Sequence, residues 1–147
     1  MTKIMKIKIL NDLAKIPTRG SEESAGLDLY AATDTPIDIA PGGTVKIDTG
    51  IAMAIPHGYF GMLVPRSGIA TKRGLRPANT PGTIDADYRG PIIVALHNDS
   101  TELQTIDPGE RIAQLIITPY AAPKLEVTTD LDETDRGTGG FGSTGKH

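Results

Sequence analysis

Glycine or proline sits in nearly every gap between the apolar segments of this chain. Pro36, Pro41-Gly42-Gly43, Pro56, Gly58, Pro81-Gly82, Pro108-Gly109, Pro119 and Pro123 fall between segments rich in aliphatic residues. Proline removes a backbone donor and fixes φ, while glycine carries the largest ordering entropy, so both interrupt regular structure. What survives between the interruptions is short. Lys6-Ile7-Lys8-Ile9, Leu27-Asp28-Leu29, Ile37-Asp38-Ile39 and Val45-Lys46-Ile47 alternate with the two-residue period of a half-buried strand. Ile51–Ile55, Ile92–Leu96 and Arg111–Thr118 are apolar runs of buried-strand length. Short strands at near-regular spacing with turn signals between them predict an all-β sandwich or barrel. One segment departs from this pattern. Ser67-Gly68-Ile69-Ala70-Thr71-Lys72-Arg73-Gly74 offers a Ser67 N-cap, a basic last turn and a terminal glycine, which predicts one short helix.

Composition narrows the function classes. The 147 residues suit one domain. There is no cysteine, which excludes a disulfide framework, a thiolate metal site and a cysteine nucleophile. The three histidines, His57, His97 and His147, are scattered and cannot form a histidine-rich zinc site. No apolar run approaches the ~20 residues that span a bilayer, and the N-terminal MTKIMKIKIL alternates Lys with Ile and has no signal-peptide core. A cytoplasmic location with no membrane partner is expected. A net charge of −3 disfavours general binding to nucleic acid. The chain changes character at its end: residues 126–135 hold five acids, and residues 136–145 read RGTGGFGSTG with five glycines. Such a segment cannot bury enough apolar area to order itself. The expected division is a compact domain over 1–125, then an acidic linker and mobile glycine-rich tail over 126–147.

Several constellations could carry chemistry. Gly82-Thr83-Ile84-Asp85-Ala86-Asp87-Tyr88-Arg89-Gly90 lies between apolar segments. It reads either as a hairpin with solvated acids or as the seat of a carboxylate base acting on water. Asp85 and Tyr88 have opposite parity in an ideal strand, so the chain must turn between them if both are to face one ligand. Pro65-Arg66-Ser67-Gly68 places a planar cation, a hydroxyl and free backbone N–H groups at a helix start, which suits an anion or simply caps a helix. Gln114 is a polar amide inside the apolar run Ile112–Ile117 and needs hydrogen-bond partners, from a ligand or from a neighbouring strand. Arg136 and Phe141 are unlike linker residues and could make the tail a lid over phosphate and base. Asp28 alternates away from Leu27 and Leu29, either as a surface acid, which the pattern alone favours, or as a group near a metal.

AGLDLYAA (25–32), PRSGIATKRG (65–74), NTPGTIDADYRG (79–90), GERIAQLII (109–117) and RGTGGFGSTG (136–145) together resemble the five ordered motifs of the trimeric deoxyuridine triphosphatase (dUTPase) family. The resemblance runs from about residue 20 to residue 145. It implies a jelly-roll fold with one short helix, assembled as a homotrimer with active sites at subunit interfaces. It implies hydrolysis of dUTP to dUMP and pyrophosphate with Mg2+, which limits uracil incorporation into DNA and supplies dUMP for thymidylate synthesis. By the same resemblance Asp85 activates water, and Tyr88 lies beneath the deoxyribose and excludes a 2′-hydroxyl. Asn79, the Gly82-Thr83-Ile84-Asp85 backbone and the facing Ile93 read uracil. Arg66, Ser67, Gly68 and Gln114 take phosphate, Arg136 reaches the γ-phosphate, and Phe141 stacks on the base. Asp28 is associated with the metal through water. Thr83 stands where the family usually has an aliphatic residue. Related deaminases resemble the second and third motifs. They carry a glutamate on the strand after the third motif and lack such a tail, whereas Ile92–Leu96 holds no acid. A dCTP deaminase, a bifunctional deaminase–triphosphatase and a noncatalytic nucleotide-binding jelly roll are the competing readings.

Overall fold

A computed structural model describes residues 4–146. The two ends of the expected division, residues 1–3 and 147, lie outside the described residues. Eleven strands and one helix follow in chain order: β1 Lys6–Ile9, β2 Gly26–Tyr30, β3 Ile37–Ile39, β4 Thr44–Asp48, β5 Ile51–Ala54, β6 Tyr59–Val64, α1 Ser67–Arg73, β7 Leu75–Pro77, β8 Gly82–Ile84, β9 Ile93–Asn98, β10 Gln104–Ile106 and β11 Arg111–Pro119. Every ladder between them is antiparallel. The largest sheet has the order β2-β11-β6-β8, the next β4-β9-β7, and β1 pairs with β5 and β10 with β3. Neighbours in a sheet are mostly distant in sequence, which is the crossing connectivity of a sandwich rather than a meander.

The alternating segments form strands as their pattern demands. Leu29, Ile39, Ile47, Ile51, Leu96, Ile106, Ile112 and Leu115 are completely enclosed and face one shared core. Each such side chain contributes about 1.5–3 kcal/mol on burial. Gly61 lets β6 lie close to its neighbours, because a Cβ there would stand 2.9 Å from both Ile55 and Leu115. The single buried polar amide of the core, Asn98, is fully satisfied. Its Nδ2 donates to the carbonyls of Ile39 and Glu102 at 2.9 and 2.8 Å, and its Oδ1 accepts from Ser100.

The helix forms where expected but starts differently. Arg66, not Ser67, occupies the cap position; its side chain makes no capping bond, since a guanidinium has no acceptor atom, and it donates to Asp28 instead. Gly74 closes α1 in the left-handed region at φ 66°, donating its N–H to Ala70. Residues 120–146 contain neither helix nor strand.

Candidate active site

Three elements converge on Asp28. It lies on β2 directly opposite Gln114 of β11, and Gln114 in turn pairs with Val64 at the end of β6. The chain leaving β6 then carries Pro65, Arg66, Ser67 and Gly68 across the same face. Asp28 is therefore not a surface acid, as its alternation alone suggested: only 8% of it is exposed. Strand alternation gives the face of a side chain, but not what covers that face. Here guanidinium groups cover it. Arg66 Nε donates to Asp28 Oδ1 at 3.0 Å and Arg111 Nη1 to Oδ2 at 3.3 Å. Gln114 Nε2 donates to the Pro65 carbonyl at 3.0 Å, so a neighbouring loop satisfies the amide. Its Oε1 lies over Gly26, where a Cβ would stand only 2.1 Å away, so a larger residue there would displace the Gln114 amide. Asp28, Arg66, Ser67, Gly68 and Gln114 line one polar cleft of about 160 Å³, whose far wall is Gly20, Ser24 and Gly26.

A second cleft, of about 170 Å³, is built on the β8 hairpin and gathers Asn79, Gly82, Thr83, Ile84, Tyr88 and Ile93. The turn required between Asp85 and Tyr88 is present, with the Tyr88 N–H donating to the Asp85 carbonyl at 3.1 Å. The Tyr88 ring is held at its hydroxyl end, where the hydroxyl donates to the Pro91 carbonyl at 3.0 Å and the ring lies against Gly90. Asp85 projects from the other flank of the hairpin. It lines an open cleft of about 580 Å³ with Thr83, Asp87, His57, Phe60 and Tyr120. The Phe60 and Tyr120 rings meet edge to face there at 6.2 Å. Within one chain, then, the sequence-predicted residues fall into an anion-suited cleft, a hairpin pocket and the exposed Asp85. Arg136 and Phe141 join none of them. Arg136 Nε donates to the Gly139 carbonyl at 2.8 Å, and Phe141 is fully exposed.

The cations clustered near α1 divide as well. Arg73 ion-pairs with Glu110 and donates to Gln104 Oε1 at 3.1 Å and to the Thr105 carbonyl at 2.6 Å. Arg76 grips Asp99 with two nitrogens, at 2.5 and 3.3 Å. That hydrogen bonding holds the Asp99 carboxyl below the usual carboxylate range; desolvation opposes the shift, and the charges of Arg76 and His97 reinforce it. Of the cations in the 65–76 stretch, only Arg66 lines the polar cleft.

Sequence reasoning misses Arg111. It stands three positions from Gln114, and regular alternation would put the two on opposite faces. The β11–β2 register shifts between Arg111 and Ala113, leaving Ile112 as an extra residue, and consecutive Ile112 and Ala113 are both enclosed. Such a bulge re-aims side chains. The GERIAQ run around Arg111 was the available signal, but nothing in it marks a bulge. Among the described residues no group of three or more His, Asp or Glu could hold a metal ion.

The fold and its clefts define an all-β jelly roll with a pocket on the β8 hairpin and a separate arginine-bearing polar cleft. The chain belongs to the dUTPase family, whose profile matches residues 12–145. It is 48% identical to the deoxyuridine 5'-triphosphate nucleotidohydrolase of Syntrophotalea carbinolica, over 96% of each chain. Among solved structures it is similar to the Staphylococcus bacteriophage 80alpha dUTPase with dUPNHPP, with a TM-score of 0.89 and 31% identity, covering 99% of this chain and all of that one. It is also similar to a mutant dUTPase of phage phi11 of S. aureus that coordinates a structural Mg(II) ion, with a TM-score of 0.81 and 25% identity, covering 89% of this chain and all of that one.

Proposed function

We propose a division of labour among these residues for the reaction of the family, hydrolysis of dUTP to dUMP and pyrophosphate. Uracil enters the hairpin pocket. There Asn79 and the backbone of Gly82, Thr83, Ile84 and Asp85 present a fixed hydrogen-bonding pattern beside Ile93. Such a pattern rejects cytosine far better than an apolar pocket rejects an extra methylene. Tyr88 lies beneath the deoxyribose, its ring too firmly held to yield to a 2′-hydroxyl. Arg66 supplies a planar fork for phosphate oxygens, with Ser67, Gly68 and Gln114 beside it. Asp85 accepts a proton from the attacking water. Phe141 covers the base and Arg136 reaches the terminal phosphate when the tail closes.

Mg2+ fits this chain as a passenger of the substrate. Both oxygens of Asp28 already meet guanidinium groups, and the described residues offer no protein cage. Mg2+ retains waters and prefers phosphate oxygens. When bound it neutralises charge on the triphosphate, and Asp28 would hold one of its waters. The family resemblance implies a homotrimer, and the separation of Asp85, the polar cleft and the tail within one chain supports copies that complete one another. The reaction belongs in the cytoplasm. No helix among the described residues is long and apolar enough to cross a membrane.

The observation that carries this reading is the coexistence of a neutral hairpin pocket and an arginine-lined cleft, both built from the residues that the family's motifs mark. Purified protein with dUTP and Mg2+ should release pyrophosphate, whereas a deaminase would release ammonia. Asp85→Asn should abolish turnover yet bind the nucleotide within about tenfold of wild type, since loss of a general base costs roughly 10²–10⁴ in rate. A fully active Asp85→Asn variant would remove Asp85 from the chemistry.

A further inference from the structure

Asp28, a carboxylate of the polar cleft, faces two guanidinium groups, and the second reaches it because the strand is irregular. Asp28 Oδ1 receives Arg66 and Asp28 Oδ2 receives Arg111. The extra residue in β11 at Ile112 turns Arg111 onto the face that Asp28 and Gln114 share. A bulge costs ladder hydrogen bonds, and bulges concentrate beside active sites, where they re-aim a side chain. Two cations against one anion leave a surplus positive charge next to the position proposed for phosphate. The arrangement also has a geometric effect. With Oδ2 held by Arg111, the carboxylate cannot rotate, so its Oδ1 fixes Arg66 through Nε. Neither terminal nitrogen of the Arg66 fork is the atom bound to Asp28.

We propose that Arg111 is a positioning residue of the phosphate cleft, acting through Asp28 to hold Arg66 in the orientation that receives the polyphosphate. This rests on the dUTPase reading and extends it to a residue that contacts neither pocket nor base. Losing a charge-assisted hydrogen bond of this kind weakens phosphate binding about tenfold. Arg111→Ala should therefore raise the KM for dUTP and the dissociation constant for inorganic pyrophosphate together. Inhibition by deoxyuridine, which lacks phosphate, should stay unchanged.

Two further measurements separate positioning from simple charge. Arg111→Lys keeps the charge but loses the rigid guanidinium plane that places Nη1 at Asp28 Oδ2, and it should remain several-fold weaker for pyrophosphate. In an Asp28→Asn background, Arg111→Ala should add less than twofold, because the residue through which it acts is already changed. The proposal is overturned if Arg111→Ala binds pyrophosphate like wild type, if Arg111→Lys is indistinguishable from wild type, or if the two changes are fully additive. Pyrophosphate binding by calorimetry needs no catalysis. A wild-type chain that binds pyrophosphate but does not hydrolyse dUTP would therefore sink the catalytic reading alone.

Discussion

Tyr88 owes its position to a missing methyl group. A Cβ on residue 90 would stand 2.4 Å from the Tyr88 hydroxyl oxygen, so the ring can lie where it does only because that residue is glycine. Tyr88→Ala should raise UTP turnover relative to dUTP. Gly90→Ala should do the same more weakly, by about tenfold, the low end of the roughly 1–3 kcal/mol of discrimination that one methylene is worth. Comparing kcat/KM for the two nucleotides checks both, and unchanged ratios would remove Tyr88 as the sugar filter. Asp99 offers a separate test of local electrostatics. Its folded pKa lies below the ordinary value of about 3.9, so any stability it contributes is present above that value and is lost only as pH falls through the lower folded one. An NMR titration should place Asp99 below the usual range in wild type and return it there in Arg76→Ala.

At the scale of elements, legibility followed pattern strength. The alternation of Lys6–Ile9 and the run Arg111–Thr118 predicted β1 and β11 almost to the residue. β7 and β10 were not legible and β8 only as one arm of a hairpin, because unlike Ile37-Asp38-Ile39, which marks β3, none of these three-residue strands alternates aliphatic with polar residues, and β7 ends in a proline. β6 was hidden by Gly61, which breaks the aliphatic run and exists to let Ile55 and Leu115 approach. The helix was legible but its anchors were not. Nothing in the sequence says that Arg73 would be taken by Glu110, Gln104 and Thr105, tying α1 to β10 and the start of β11. Arg73→Ala leaves Glu110 half-buried without that partner. It should destabilise the fold by about 1–3 kcal/mol, read as a lower midpoint in urea with an unchanged slope. A variant as stable as wild type would reduce this network to surface decoration.

At the scale of the molecule, the motifs are spread through the whole chain; the structure gathers the first, second and fourth at Asp28 and keeps the third and fifth apart from them. The hairpin pocket, the polar cleft and the tail are separate in one chain, which supports the proposed sharing of a site between copies; that there are three copies is what the family resemblance implies. Sedimentation at micromolar concentration should give three times the chain mass, and a stable monomer with full activity would overturn the shared-site reading. Deleting residues 136–147 should cripple turnover while shifting folding stability by no more than about 0.5 kcal/mol, as for changes far from the core. Loss of folding on truncation would make the tail part of the body.

The same separation has a consequence for how the tail works. Phe141 and Arg136 ride on a segment whose hydrogen bonds, among the described residues beyond 126, all run within it. Its attachment therefore supplies proximity rather than shape. A short flexible tether gives an effective concentration in the millimolar range. A synthetic peptide spanning the glycine-rich segment, added to the truncated protein at that concentration, should restore turnover without any covalent link.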